Sequence, residues 1–154
     1  MASLYDTDFY AWTQRQAERL RALQSERVNL DLDLEHIAEE IESVGKSDRR
    51  EVTSRLTTIL VHMLKIAYSP AYEPLNGWRG TVRTQRRDLL SVLEQSPSLR
   101  RVVREDFARC YGDAADEARL SHIDLTLAPI PTTCPFDLEQ VLDPDWLPEP
   151  RIHS

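Results

Sequence analysis

Apolar residues recur every three or four positions over most of residues 8–120, and this feature constrains the fold more than any other. Such a period buries one face of an α-helix, whereas a half-buried strand would alternate every second residue. Six of the nine prolines fall in the final 26 residues, so they interrupt little of the periodic region. The pattern predicts an all-α fold.

Five main helices are predicted from the positions of these residues. The first covers about residues 8–23, and Asp6 or Thr7 is expected to cap its first amides. The second carries an apolar stripe and follows a linker in which Asp31 or Asp33 is the expected cap. The other three cover about residues 48–68, 76–95 and 99–120.

Gly45 decides whether the second and third helices are separate. It follows the stripe of the second helix and suits a helix C-terminus, and the next residues begin like a capping box with Ser47 as the cap. We therefore predict a break at Gly45. The alternative is one helix that crosses the glycine at a cost in helix propensity. The stripe consists of Leu34, Ile37, Ala38, Ile41 and Val44.

Proline becomes frequent from Ala128 onward, in APIPTTCPFDLEQVLDPDWLPEP, where only FDLEQVL has room for a short helix. Aromatic residues such as Phe136 and Trp146 favour a segment pinned across a core over a disordered tail. We predict a single domain, with a helical bundle over about residues 6–122 and an extended clasp with one short helix over about residues 123–150. The alternative is a peptide that docks on a partner.

Length and charge narrow the classes of function. The 154 residues fit one domain with a sizeable core, and the net charge of −7 disfavours adhesion to nucleic acid or anionic membranes unless basic residues cluster. The longest apolar run, ILVHML, is far too short to span a membrane. The N-terminus lacks a secretory pattern, and Cys110 and Cys134 lack the spacing of a metal or disulfide motif. We therefore expect a cytoplasmic protein with free thiols.

The stretch EHIAEEIE, residues 35–42, places one histidine among four glutamates on one helix. His36 and Glu40 share a helix face, as the ligands of bundle metal sites do, although the usual Glu-x-x-His order is reversed. His62 is the natural further donor. It would lie roughly 9 Å along the axis from His36 if the chain turns back, or roughly 33 Å from Glu40 if the helix is unbroken. A divalent metal site at these three residues is one hypothesis, with His122 or a second subunit completing it; a solvated glutamate face is the simpler interpretation, and no other cofactor is predicted.

A second candidate site is WRGTVRTQRR, in which three arginines fall at i, i+4 and i+7 with Arg87 and Trp78 beside them. A row of guanidinium groups with an aromatic is typical of a helix that contacts phosphates. The glutamates of residues 35–42 offer ion-pair partners, so pairing across the bundle or solvation is the simpler interpretation. The candidate functional cluster is His62, Trp78, Arg79, Arg83 and Arg86.

Four blocks occur in the order DFYAWTQRQAERLR, LEHIAEEIESVGKSDRREVTSRLTTILVHMLKI, GWRGTVRTQRRDLLSVLEQSPSLR and CPFDLEQVLDPDWLP. Together they resemble the bacterial domain of unknown function family twenty-nine over about residues 5–148. The resemblance implies an all-helical, single-domain bacterial protein, and it implies no activity and no residue role. Residues that match the recurrent pattern of the family are Glu39, Glu40, Ile41, Glu42, Gly45, His62, Lys65, Trp78, Cys134 and Pro135.

Three hypotheses about function follow. No GxSxG, P-loop or GxGxxG motif is present and amphipathic helix is abundant, which favours a non-catalytic protein-interaction or accessory module over an enzyme. Its partner would be another protein or a second copy of the chain. The second hypothesis is a nucleic-acid-binding protein that uses the arginine row. The third is a metal-dependent enzyme that uses His62, or His36 with Glu40.

Overall fold

Helices make up every regular element of the described residues, which are 2–26, 29–70, 74–121 and 129–150 of this computed structural model. The all-α prediction is confirmed. None of the helices in these ranges is long and apolar enough to cross a membrane. In chain order they are α1 (Leu4–Thr7), α2 (Phe9–Ser25), α3 (Leu34–Tyr68), α4 (Leu75–Gln95), α5 (Leu99–Ser121) and α6 (Leu138–Leu142).

The helix α3 is unbroken over 35 residues and about 52 Å long, so the predicted break at Gly45 is wrong. Gly45 is buried against α2, and a Cβ at this position would stand 2.3 Å from Oγ1 of Thr13 and 3.4 Å from the ring of Tyr10. The glycine permits a close helix–helix contact, and this packing offsets the poor helix propensity of glycine. Ser47 lies inside the helix and caps nothing.

Asp8, rather than Asp6 or Thr7, caps α2, whereas the cap of α3 is Asp33, one of the two predicted residues. Each carboxylate accepts a hydrogen bond from an amide in the first turn, which satisfies a donor that has no partner within the helix. The capping residues at the starts of α2 and α3 therefore lie within two positions of those predicted from the sequence.

The start of α2 is tied to the turn between α4 and α5. The carboxylate of Asp8 accepts hydrogen bonds from the backbone N–H and the hydroxyl of Ser98, at 2.9 and 2.8 Å. The N–H of Tyr10 donates to Oγ of Ser96 at 3.0 Å. Because Tyr10 also lies beside Gly45, the end of α4 reaches only as far as the level of Gly45 on α3.

The main core surrounds the second half of α3, where most of residues 52–68 are buried. The helices α4 and α5 pack on two sides of this half. Arg55 of α3 donates to the side chains of Gln85 and Asp88 on α4, at 3.0 and 3.4 Å. On the α5 side, the thiol of Cys110 lies 3.7 Å from the carbonyl oxygen of Thr53.

The first half of α3 packs against α2, and we call this pair the α2–α3 hairpin (residues 9–25 and 34–51). The buried residues of this half, Leu34, Ala38 and Gly45, share one helix face, which is the face that contacts α2. Since α4 ends level with Gly45, the part of the hairpin that lies before Gly45 on α3 extends beyond the main core.

The C-terminal clasp, described over residues 129–150, lies across the main core. Phe136 and Val141 are buried in it, and the ring of Trp146 packs 5.7 Å from that of Phe136. The short helix α6 falls within the predicted FDLEQVL segment and begins with a complete capping box between Asp137 and Gln140. The predicted boundary between bundle and clasp lies outside the described residues.

Candidate functional site

Arg86 is the one charged side chain that is buried among the described residues, with 1% of its surface exposed. Its Nε donates a hydrogen bond to the carbonyl oxygen of Val141 in α6, at 2.9 Å. Neither Nη1 nor Nη2 has a hydrogen-bond partner in the described part of the chain. Burial lowers the pKa of the Arg86 guanidinium, and the carboxylates of Asp143 and Asp145 partly oppose this shift.

The arginine row does not form one exposed face. Arg83 and Arg87 are exposed and Arg79 is half-buried, whereas Arg86 points inward. Leu89, three residues after Arg86, is fully buried on the same side of α4, so helical spacing alone could have indicated that Arg86 lies inside. Arg86, the third arginine of the predicted phosphate-contacting row, is therefore buried and not on the exposed face.

A groove of about 420 Å³ lies between α4 and the clasp. Arg83, Arg86 and Arg87 contribute to its lining, together with Ser91 of α4 and Pro144 of the clasp. The clasp thus converts part of the arginine row from a surface into one wall of a concave site.

His62 and Trp78, the remaining members of the candidate functional cluster, do not line this groove. His62 is half-buried, and its Nδ1 lies 2.9 Å from the carbonyl oxygen of Thr58, so Nδ1–H donates within the helix. It follows Arg55 by seven residues and so lies on the side of α3 that faces α4. Trp78 packs against the main core. His62 is thus hydrogen-bonded within its own helix, and Trp78 is packed against the main core.

The proposed metal ligands are far apart in one chain. His36 and His62 lie 26 residues apart on the unbroken helix, about 39 Å along its axis, and Glu40 is about 33 Å from His62. Within the described ranges, no three His, Cys, Asp or Glu side chains are grouped so that they could hold a metal ion. His122, the other donor considered, falls outside those ranges.

His36 is paired with Asp33 instead. Its Nδ1 lies 2.5 Å from Oδ2 of Asp33, and both side chains are largely exposed at the start of α3. The hydrogen bond to Asp33 raises the pKa of His36, and the bond from His36 lowers the pKa of Asp33. The pair therefore stabilises the helix start while Asp33 is ionised and His36 is protonated, and the charged contact is lost as the pH rises through the folded-state pKa of His36.

The α2–α3 hairpin has an apolar face that sequence reasoning assigned to the core. Ile37 and Val44 of α3 are 36% and 46% exposed, and Ile41 between them is half-buried. Leu20 and Leu23 of α2 are also half-buried. None of the five belongs to the main core.

The opposite face of the hairpin is charged. Arg21 of α2 pairs with Glu42 of α3 at 2.6 Å, and Lys46 reaches the same carboxylate at 3.2 Å. The first of these bonds is the largest cause of the lowered pKa of Glu42 and of the raised pKa of Arg21. Since these residues fix which side of each helix is charged, helical spacing puts the apolar residues of α2 and α3 together on the other side.

Both cysteines are free, as predicted, and burial raises the pKa of each thiol. A raised pKa leaves little thiolate at neutral pH, so neither residue has the environment of a nucleophile. The buried hydroxyl of Tyr111 donates to the carbonyl oxygen of Pro131 and fastens the start of the clasp to α5. Burial raises the pKa of Tyr111 to about 12.

Together these elements define an all-α protein with a projecting helical hairpin and a clasp. The family model described as domain of unknown function DUF29 matches residues 4–147, and the chain belongs to this family. Among solved structures, the chain is similar to an alpha-helical protein of unknown function from Rhodospirillum rubrum, with 33% identity and a TM-score of 0.81 over 95% of this chain and 93% of that one. No curated protein matches the chain.

Proposed function

We propose that this chain is a non-catalytic, cytoplasmic protein-interaction module that associates with a second copy of itself through the apolar face of the α2–α3 hairpin. The observation that carries the proposal is the exposure of Ile37 and Val44 on the part of α3 that extends beyond α4. Exposed apolar residues that form a continuous face and are rimmed by charge mark association surfaces. Two unpaired cysteines support the cytoplasmic location.

The shape of the hairpin favours a second copy as the partner. Two antiparallel helices with one apolar face are half of a four-helix bundle, and a twofold axis between two copies would complete it. Such an axis brings the same face of both chains together, so the apolar residues of one copy cover those of the other. The residues in this face are Leu20, Leu23, Ile37, Ile41 and Val44.

The charged residues at the rim of this face would meet residues of opposite charge in the second copy if a twofold axis relates the two chains. Arg19 is exposed at the outer edge of α2, and Glu40 is exposed at the outer edge of α3. The contacts of Gly45 with Thr13, and of Arg21 with Glu42, place Arg19 and Glu40 within about one helical turn of the same height. A twofold axis parallel to the helices sets Arg19 of each copy opposite Glu40 of the other.

Sedimentation equilibrium of the full chain tests the proposal. Wild type is expected at twice 17.8 kDa, and Val44→Asp is expected to be a folded monomer because it places a charge in the apolar face. Arg19→Glu or Glu40→Arg alone would weaken the dimer about tenfold, and the double exchange would restore it. Glu117→Arg, an exposed position on α5, is the matched control and should change nothing.

Two results would contradict the proposal. One is a wild-type chain that stays monomeric at millimolar concentration. The other is a dimer that Val44→Asp leaves intact, which would place the interface elsewhere on the molecule.

A further inference from the structure

The buried guanidinium of Arg86 is incompletely satisfied. Arginine keeps its charge at all ordinary pH values, and it carries five N–H donors. In the described part of the chain, the one hydrogen bond that Arg86 makes joins its Nε to the carbonyl oxygen of Val141. The four N–H groups on its two Nη atoms are left without acceptors, so the interior holds a charge whose hydrogen bonds are mostly unmade.

No carboxylate of the described residues neutralises this charge directly. Asp143 and Asp145 of the clasp are close enough to attract Arg86, yet neither carboxylate is hydrogen-bonded to it. Asp88, the next acidic residue on α4, pairs with Arg55 and Arg87 instead. A buried charge without a partner is strongly destabilising, so an anion from outside the chain would be stabilised by pairing with Arg86.

The groove beside Arg86 is lined by side chains that can bind an anion. Arg83 and Arg87, both exposed, line it together with Arg86, and the hydroxyl of Ser91 adds a neutral donor. Glu94 also lines the groove. Its carboxylate can accept a hydrogen bond from a hydroxyl group of a ligand, but it repels any second anionic group on that ligand. The lining carries three guanidinium groups and one carboxylate. Asp88, which pairs with Arg87, and the two aspartates of the clasp reduce the positive charge around it.

We propose that this groove binds the phosphate-monoester group of a small molecule, with Arg86 as the inner anchor and Arg83 and Arg87 at the rim. Three guanidinium groups can bind the several oxygens of a tetrahedral dianion such as a phosphate monoester. A carboxylate ligand has two oxygens, and one arginine can bind both of them. A volume of about 420 Å³ exceeds that of the phosphate, which leaves room for a small organic part. A nucleic-acid strand fits less well, because a strand contacts exposed cations and Arg86 is inside.

Binding also couples the ligand to the clasp. The Nη atoms lie beneath the surface, and Pro144 of the clasp forms part of the groove wall. Contact of an anion with these atoms requires the clasp to move at Pro144, and a bound anion would then hold α4 and the clasp together. Bound phosphate is therefore expected to slow amide exchange in residues 138–147.

Isothermal titration calorimetry with inorganic phosphate tests the proposal, with sodium chloride at matched ionic strength as the reference. Saturable binding of one phosphate per chain is expected, and Arg83→Gln with Arg87→Gln should weaken it at least about tenfold while Arg86 and the fold are kept. Arg104→Gln, an exposed arginine on α5 outside this groove, is the control and should bind like wild type. Arg86→Gln should abolish binding in protein that circular dichroism shows to be folded.

Three outcomes would overturn the proposal. Equal heats from phosphate and from sodium chloride at matched ionic strength would show an ionic-strength effect and no phosphate site. Equal affinity in wild type and the rim double variant would remove the arginines from the site. An oligonucleotide without terminal phosphate that binds more tightly than inorganic phosphate would assign the arginines to nucleic acid instead.

Discussion

Two single residues, Gly45 and Arg86, have unusual surroundings that bear directly on the fold and on the candidate site. Gly45 lies where two helices touch, and Arg86 lies where a cation is least expected. Both sit within regular helices, and neither position interrupts the helix that contains it. Their importance comes from what packs against them, so it belongs to tertiary structure.

Gly45→Ala is expected to destabilise the chain by up to about 2 kcal/mol in urea unfolding. Alanine improves helix propensity by about 1 kcal/mol, but the added methyl collides with Thr13, and overpacking costs about 1–3 kcal/mol. Gly112→Ala is the matched control, because nothing lies within 4 Å of a Cβ there. It should stabilise α5 by up to about 1 kcal/mol. Equal effects of the two substitutions would show that α2 and α3 do not meet at Gly45.

The clasp has almost no regular structure of its own, and its place depends on a few anchoring contacts. Phe136 and Val141 are buried, and Arg86 and Tyr111 bind carbonyl oxygens of the clasp from α4 and α5. These anchors come from two different helices, so the clasp connects elements that are distant in sequence.

Phe136→Ala is expected to lower the free energy of unfolding by about 3–5 kcal/mol, because it removes a buried ring from the main core. Glu139→Ala, at an exposed position two residues into α6, should change it by less than about 0.5 kcal/mol. Urea titrations followed by circular dichroism give both values. A loss below about 1 kcal/mol for Phe136→Ala would mean that the clasp unfolds separately from the bundle.

The whole molecule has two regions of unequal packing. Around the second half of α3, buried residues come from α4, α5 and the clasp, whereas the first half is covered by α2 on one side. One helix thus belongs to the interior at one end and to the surface at the other. Local stability is expected to follow this difference in packing.

Hydrogen exchange read by mass spectrometry should show this difference within α3. In dilute protein, amides of residues 34–44 are expected to exchange faster than those of residues 56–66, because fewer buried contacts oppose their opening. Raising the protein concentration should slow the first group alone, since association covers the hairpin face. Equal exchange in both halves would contradict the two-region description.

Local sequence information was enough for the helical class, for the approximate ends of α2, α4 and α5, and for the short helix of the clasp. These features depend on spacing, capping residues and proline, which act over a few neighbouring positions. The same information placed Ile37 and Val44 inside, because an apolar stripe looks alike whether a second layer covers it or not.

The continuity of α3, the burial of Arg86 and the exposed face of the hairpin were decided by tertiary structure. A glycine ends a helix or permits close packing according to what lies opposite it, and here Thr13 lies opposite Gly45. An arginine on an apolar stripe is buried when another segment covers it, and here the clasp does so from 55 residues further along the chain. Contacts between distant segments leave no local pattern, since each segment keeps its own period and the partner is chosen by the fold.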